Sequence, residues 1–117
     1  CVVICPSNPF ISVAPILALP GVRAALEACR APVVAVSPII GGQAVKGPTA
    51  RMFSELGLGV PTAAGIAAHY GRLLDGYVVD ARDAAEAAGI DGPRVALAQT
   101  LMTTLEDREV LARAVLE

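Results

Sequence analysis

Aromatic residues are nearly missing from this chain: there is no tryptophan, and two tyrosines and two phenylalanines make up the 3%. Lysine is almost as scarce, one against eight arginines, with a net charge of −2. With no basic stripe and no interleaved aromatics, nucleic acid is excluded as an expected partner. The lysine–arginine skew reads as base-composition bias in the source genome. Histidine occurs once, at His69, so neither a histidine-based metal set nor a Ser-His-Asp or Cys-His arrangement is visible. Cysteine occurs three times, without zinc-type spacing. Cys1 and Cys5 would share one face of a strand, but four residues at about 3.3 Å each place their Cα atoms beyond disulfide reach. Cys29 falls on the apolar side of a helical pattern, so all three are expected as buried, reduced thiols in a cytoplasmic protein. Long apolar runs are lacking too. The longest, Phe10 to Val22, is interrupted by Pro15, Pro20 and Gly21 and is too short for a bilayer, so no membrane partner is expected.

What is present is apolar and small: 55% hydrophobic residues, 22 of the 117 being alanine. That mixture suits short buried strands covered by alanine-rich helices and argues against disorder. The length allows one domain, over residues 1–117. The first residue is Cys1, not Met, and strand-like sequence begins at once without a charged leader. The expectation is a portion of a longer protein, starting part-way along.

Four continuous apolar runs have strand character: Val2 to Cys5, Val33 to Val36, Tyr77 to Asp80 and Val95 to Ala98. Continuous runs are expected for strands covered on both faces. Between them, Val22-Ala25-Leu26-Cys29, Thr49-Met52-Phe53-Leu56 and Ala63-Ile66-Ala67-Tyr70 follow helical i, i+3, i+4, i+7 spacing. A short helix is expected from an Asp83 cap to Gly89, and a last one behind Thr103-Thr104-Leu105-Glu106, which fits a capping box. Alternation of strand and helix implies right-handed βαβ crossovers. The expected fold is α/β, a Rossmann-like parallel sheet with helices on both faces. Four strands are thin for such a sheet, which again points to an N-terminal part lying upstream.

In open parallel sheets, ligands collect outside the carboxyl ends of the strands. Two of those ends are unusual here. After the second strand, Ser37-Pro38-Ile39-Ile40-Gly41-Gly42 leads to Lys46-Gly47-Pro48-Thr49. Gly41 and Gly42 allow close backbone approach, and Pro48 suits a first helical turn, with Gly47 as its cap. Amides left free near Thr49, the Lys46 ammonium and the Thr49 hydroxyl would together attract phosphate. Gly42 to Thr49 has the spacing of a P-loop, but proline stands at the lysine position, so it is not one. A glycine-rich connector whose proline merely starts a helix has the same pattern. After the first strand, Ser7, Asn8 and Ser12 offer hydroxyl and amide groups for a phosphate, ribose or base edge, while Pro6 and Pro9 hold the backbone extended. An ordinary Asn-Pro turn reads the same way, but both loops are expected on one rim.

Other residues are less telling. His69 reads as a surface or capping residue, and Asp80 as a strand-end carboxylate equally suited to capping a turn. Asp75, Arg72 and Arg82 are expected to pair on the surface, and Glu106 to Glu109 to form a solvated first helical turn. No pair of carboxylates stands out for acid/base work, and catalytic residues are not legible.

At the two loops, Val2-Val3-Ile4-Cys5-Pro6-Ser7-Asn8-Pro9-Phe10-Ile11-Ser12-Val13 and Ala35-Val36-Ser37-Pro38-Ile39-Ile40-Gly41-Gly42 through Lys46-Gly47-Pro48-Thr49-Ala50, the chain resembles the 2-phospho-L-lactate transferase family. His69-Tyr70-Gly71, Asp75-Gly76 and Thr100-Leu101-Met102 add to the likeness, which covers essentially the whole chain. The resemblance implies a transferase that moves a phospholactyl group, or in some lineages a phosphoenolpyruvyl group, from a GDP-linked donor to the deazaflavin Fo. GMP leaves, in coenzyme F(420) biosynthesis, with Mg²⁺ as cofactor. It further implies that Ser7, Asn8 and Ser12 line the donor site. Ser37, Gly41, Gly42, Lys46, Gly47 and Thr49 would bind the donor phosphates or guanosine end. The apolar helix face near Met52 and Phe53 could touch a flat ring. The family's glycine-rich loop and its acidic metal ligands lie upstream of anything present, so no metal ligand is carried over and the chain alone is expected to be inactive. A non-catalytic nucleotide- or nucleotide-sugar-binding regulator of the same fold is the alternative, and a structural domain that binds nothing a third. Oligomeric state is left open, a homo-oligomer included.

Overall fold

A computed structural model describes residues 1–44 and 48–117. In chain order, strand β1 (Val2–Ile4) is followed by one wide π-helical turn (Pro9–Val13), α1 (Ala14–Leu17) and α2 (Val22–Glu27). Strand β2 (Val33–Val36) leads into a small hairpin of β3 (Ile39–Ile40) and β4 (Gln43–Ala44), then α3 (Thr49–Glu55) and α4 (Ala63–Tyr70). Strand β5 (Gly76–Asp80), a 3₁₀ turn (Ala81–Asp83), α5 (Ala84–Ala87), β6 (Arg94–Ala98) and α6 (Leu105–Leu116) complete it.

The four long strands form one sheet in the order β1-β2-β5-β6, every pair parallel. Val2 aligns with Val33, Val34 with Gly76, and Gly76 with Arg94, so the parallel strands start nearly level and all point their carboxyl ends to one rim. Because side chains alternate across the sheet, Val33, Ala35, Tyr77 and Val79 enter one core with Phe53, Ile66 and Tyr70. Val36 and Val78 enter the other, with Leu111 of α6. Helices thus cover both faces, and the α/β parallel-sheet expectation is met. Full burial of one branched side chain such as Ile66 (0% exposed) stabilises the fold by about 2–3 kcal/mol.

Coverage on both faces holds for the central strands β2 and β5 only. At the edges Val3 is 40% and Leu97 51% exposed, since an edge strand has a neighbour on one side alone. The cysteines depart from expectation for the same kind of reason: all three are exposed. Cys1 and Cys5 flank the open side of β1, and Cys29 lies beyond the end of α2. In α2 the buried stripe narrows to Val22 and Leu26, both half-buried.

Helix α4 matches its pattern: Ala63, Ile66, Ala67 and Tyr70 are all buried, and the Thr62 hydroxyl caps it by accepting from the Gly65 amide at 2.9 Å. The box at the head of α6 sits one residue later than expected, on Thr104 and Asp107. The Asp107 carboxylate accepts from the Thr103 hydroxyl at 2.8 Å and from the Thr104 amide at 2.8 Å, and these bonds hold it well below the usual carboxylate range. Asp75 serves the backbone rather than a surface arginine, its carboxylate accepting from the Val33 amide at 2.8 Å.

Candidate functional site

A hollow of about 400 Å³ opens at the carboxyl ends of the strands, where parallel sheets gather ligands. Three loops wall it. The loop after β1 contributes Pro6, Ser7, Asn8, Ile11 and Ser12. From β2 come Ser37, Pro38 and Ile40, joined by Pro48 at the head of α3. Thr100, Leu101 and Met102 follow β6. A second hollow of about 420 Å³ lies at the opposite, amino end of the sheet, against Cys1, Gly76, Arg94 and the end of α6. The strand-end rule favours the first.

Asn8 holds the first two loops together. Its Oδ1 accepts from the amides of Phe10 (2.9 Å) and Ile11 (3.2 Å), which caps the wide turn that follows. Its Nδ2 donates to Thr49 Oγ1 at 3.0 Å and lies 3.5 Å from Met52 Sδ. Phe10 reinforces the contact, its ring 5.3 Å edge-on from Phe53 and 4.9 Å from His69. Burial, and then the nearby Arg23 charge, lowers the His69 pKa.

Of the residues singled out in the sequence, Ser7, Asn8, Ser12 and Ser37 line this hollow. Thr49, 1% exposed, is bonded to Asn8 directly behind it. The Ser37 hydroxyl accepts from the Ile39 amide at 3.2 Å, and its own amide donates to Val78 at 2.8 Å. Gly41 and Gly42 are not in the lining: they form the turn of the β3–β4 hairpin, at φ 60° and 73°, and their amides donate to the Asp83 carboxylate. The readings on Lys46 and Gly47 lie outside the described residues.

The third wall was legible in principle, because Thr100 stands two residues past β6 on the same rim. Its amide and hydroxyl both donate to Asp80, at 2.9 and 3.0 Å. Asp80 also accepts from the Arg82 amide at 3.0 Å, with the Arg82 guanidinium 3.8 Å away. Burial alone would push this carboxyl up, but the Thr100 and Arg82 hydrogen bonds outweigh it and hold it below the ordinary value. Asp80 therefore both caps a turn and fixes the Thr100 loop.

Among the described lining residues none carries a formal charge, so the hollow offers hydroxyls, backbone amides and aliphatic or proline walls. Among the described residues no cluster of three or more histidine, cysteine or carboxylate groups could hold a metal ion. Asp80 and Asp83 are already bonded by backbone amides, and the described residues do not make a magnesium site.

Residues 1–110 match the family described as 2-phospho-L-lactate transferase CofD. Over 116 residues the chain is 43% identical to a 2-phospho-L-lactate transferase of Methanosarcina acetivorans, covering 97% of this chain and 37% of that protein. It is 44% identical over 117 residues to a phosphoenolpyruvate transferase of Kitasatospora aureofaciens, covering 95% and 35%. A phosphoenolpyruvate transferase of Mycobacterium ulcerans is 40% identical over 121 residues, covering 99% and 36%. The chain thus spans little more than a third of the length of these relatives.

Proposed function

This chain belongs to the 2-phospho-L-lactate transferase family, and from that membership we propose that it forms the donor-binding part of an enzyme that transfers a phospholactyl or phosphoenolpyruvyl group. The donor is GDP-linked and the acceptor is the deazaflavin Fo. A hydroxyl oxygen of the acceptor attacks the donor phosphorus adjoining the lactyl or enolpyruvyl oxygen. The new O–P bond forms as the bond to GMP breaks, GMP leaves with that electron pair, the hydroxyl proton passes to solvent, and the product lies on the route to coenzyme F(420).

The observation that carries this reading is the Asn8–Thr49 hydrogen bond of 3.0 Å. It closes the two loops most like the family's into one wall of a single hollow. Transfer at phosphorus depends on holding donor and acceptor in line and on stabilising charge, not on a side-chain nucleophile. Ser7 and Ser12 suit the first task, offering hydroxyls to a ribose or base edge between aliphatic walls, whereas the buried Ser37 hydroxyl is held by the Ile39 amide. Their neutrality leaves phosphate charge to be met elsewhere. In this proposal Lys46 and a Mg²⁺ ion held outside this chain meet it, and no residue here is given a chemical step. A cytoplasmic location accompanies the proposal; among the described residues no helix is long and apolar enough to cross a membrane.

The alternative reading is a non-catalytic nucleotide- or nucleotide-sugar-binding regulator of the same fold. A transfer assay, with full-length protein incubated with Fo, Mg²⁺ and each candidate donor, and GDP calorimetry together separate the readings. GMP release with modified Fo is expected, and none from residues 1–117 alone. Calorimetric heat with GDP but no turnover would favour the regulator, no heat and no turnover a structural domain, and transfer by residues 1–117 would refute their inactivity.

A further inference from the structure

Asp83 ends the 3₁₀ turn after β5, is 7% exposed, and does not line the hollow. Its side chain does not cap α5. Instead each oxygen takes one backbone amide of the hairpin turn, Gly41 on Oδ2 at 2.9 Å and Gly42 on Oδ1 at 2.7 Å. A carboxylate gripping two successive amides is a charge-assisted, two-point contact, stronger and more directional than a neutral bond. The partners lie 42 and 41 residues apart in sequence, so the grip is tertiary and not a local turn. Its geometry requires the two positive φ values at Gly41 and Gly42, a backbone that a two-residue hairpin turn takes and that side-chain-bearing residues resist. Immediately before the turn stands Ile40, which with Pro38 walls the hollow.

We infer that Asp83 is a positioning residue for the donor-binding hollow: by holding the Gly41 and Gly42 amides it docks the β3–β4 hairpin and keeps Ile40 and Pro38 in place as a fixed wall. The inference rests on the donor-site reading above. It also revises the part expected of the two glycines. Their amides are already paired with a carboxylate, so they support the wall and do not cradle a phosphate.

The test uses the full-length protein as wild type, Asp83→Ala and Asp83→Asn, with GDP calorimetry, thermal unfolding and amide hydrogen exchange. In the wild type the Gly41 and Gly42 amides are protected from exchange. Asp83→Ala exposes them and weakens GDP binding about tenfold or more. Asp83→Asn, which keeps one acceptor oxygen, recovers part of both. A folded Asp83→Ala protein with wild-type GDP affinity overturns the inference, even if it melts earlier, because that is what a merely structural role would give. If Asp83→Ala does not fold, the other measurements decide. Unprotected glycine amides in the wild type, or undiminished GDP affinity in Asp83→Asn, overturn it; protected amides with weakened Asp83→Asn binding support it. A wild-type protein that binds no GDP sinks the donor-site reading itself and this role with it, whereas wild-type binding with unaffected variants sinks only the role of Asp83.

Discussion

Asn8 engages every polar group of its side chain inside the protein: two amides on its oxygen, Thr49 and the Met52 sulfur on its nitrogen. Its part in the hollow is to hold the wall, beside Ser7 and Ser12 in the lining. Removing one partner of a buried bond leaves the other unsatisfied, at a cost of about 1–3 kcal/mol. Asn8→Ala is therefore expected to destabilise the fold by about that much, and Thr49→Val by about 1 kcal/mol. A double-mutant cycle from urea unfolding should show coupling of about 1 kcal/mol; strict additivity would mean that the bond does not hold the loops. Asp80 makes a second prediction, about pH. Its folded pKa lies below the ordinary 3.8, so its contribution is complete above that value and fades as pH falls through the lower, folded one. Asp80→Asn should be less stable than wild type at neutral pH, and the gap should shrink as pH falls below about 4. Urea midpoints compared across pH would show this, and a gap unchanged by acid would contradict it.

Among the helices, α4 and α6 show two ways of being specified. Helix α4 carries its apolar residues on one side and its cap at Thr62, and the buried set is the one its spacing marks. For α6, Thr103 and Thr104 both stand three residues before an acidic residue, so two registers of the same box compete. The observed one lets Asp107 accept from both threonines. Replacing Thr104 with Ala is expected to lower stability by about 1 kcal/mol. Thr103→Ala should cost less, since it leaves the reciprocal cap intact. Equal melting temperatures for the two variants would count against the Thr104 register. The β3–β4 hairpin had a signal in Ile39-Ile40-Gly41-Gly42, two glycines between short runs. It was masked because paired glycines next to a strand end read equally well as a loop open to a ligand, and the choice depends on Asp83, some forty residues away.

Across the whole molecule, the order of the four sheet strands and of α2 to α6, the parallel sheet and the rim that carries the polar loops follow from the chain itself, whereas α1 and the β3–β4 hairpin do not. Local hydrophobic period and the handedness of βαβ crossovers leave little other choice. Ser7 and Ser37 were expected on that rim for the same reason, since each follows a strand end, and Ser12 because it lies in the loop that continues from the first. Other features were set by contacts between segments far apart in sequence, which no local pattern encodes. Edge position exposes Cys1, Val3 and Cys5 although their strand is as apolar as its neighbours. Long-range hydrogen bonds make Asn8 a latch, turn Asp83 from a helix cap into a clamp on Gly41 and Gly42, and bring Thr100 to the hollow through Asp80. A side chain's polar groups can be assigned to a ligand or to the protein only when their neighbours in space are known. Chain order fixes neighbours within an element, and packing alone supplies the rest.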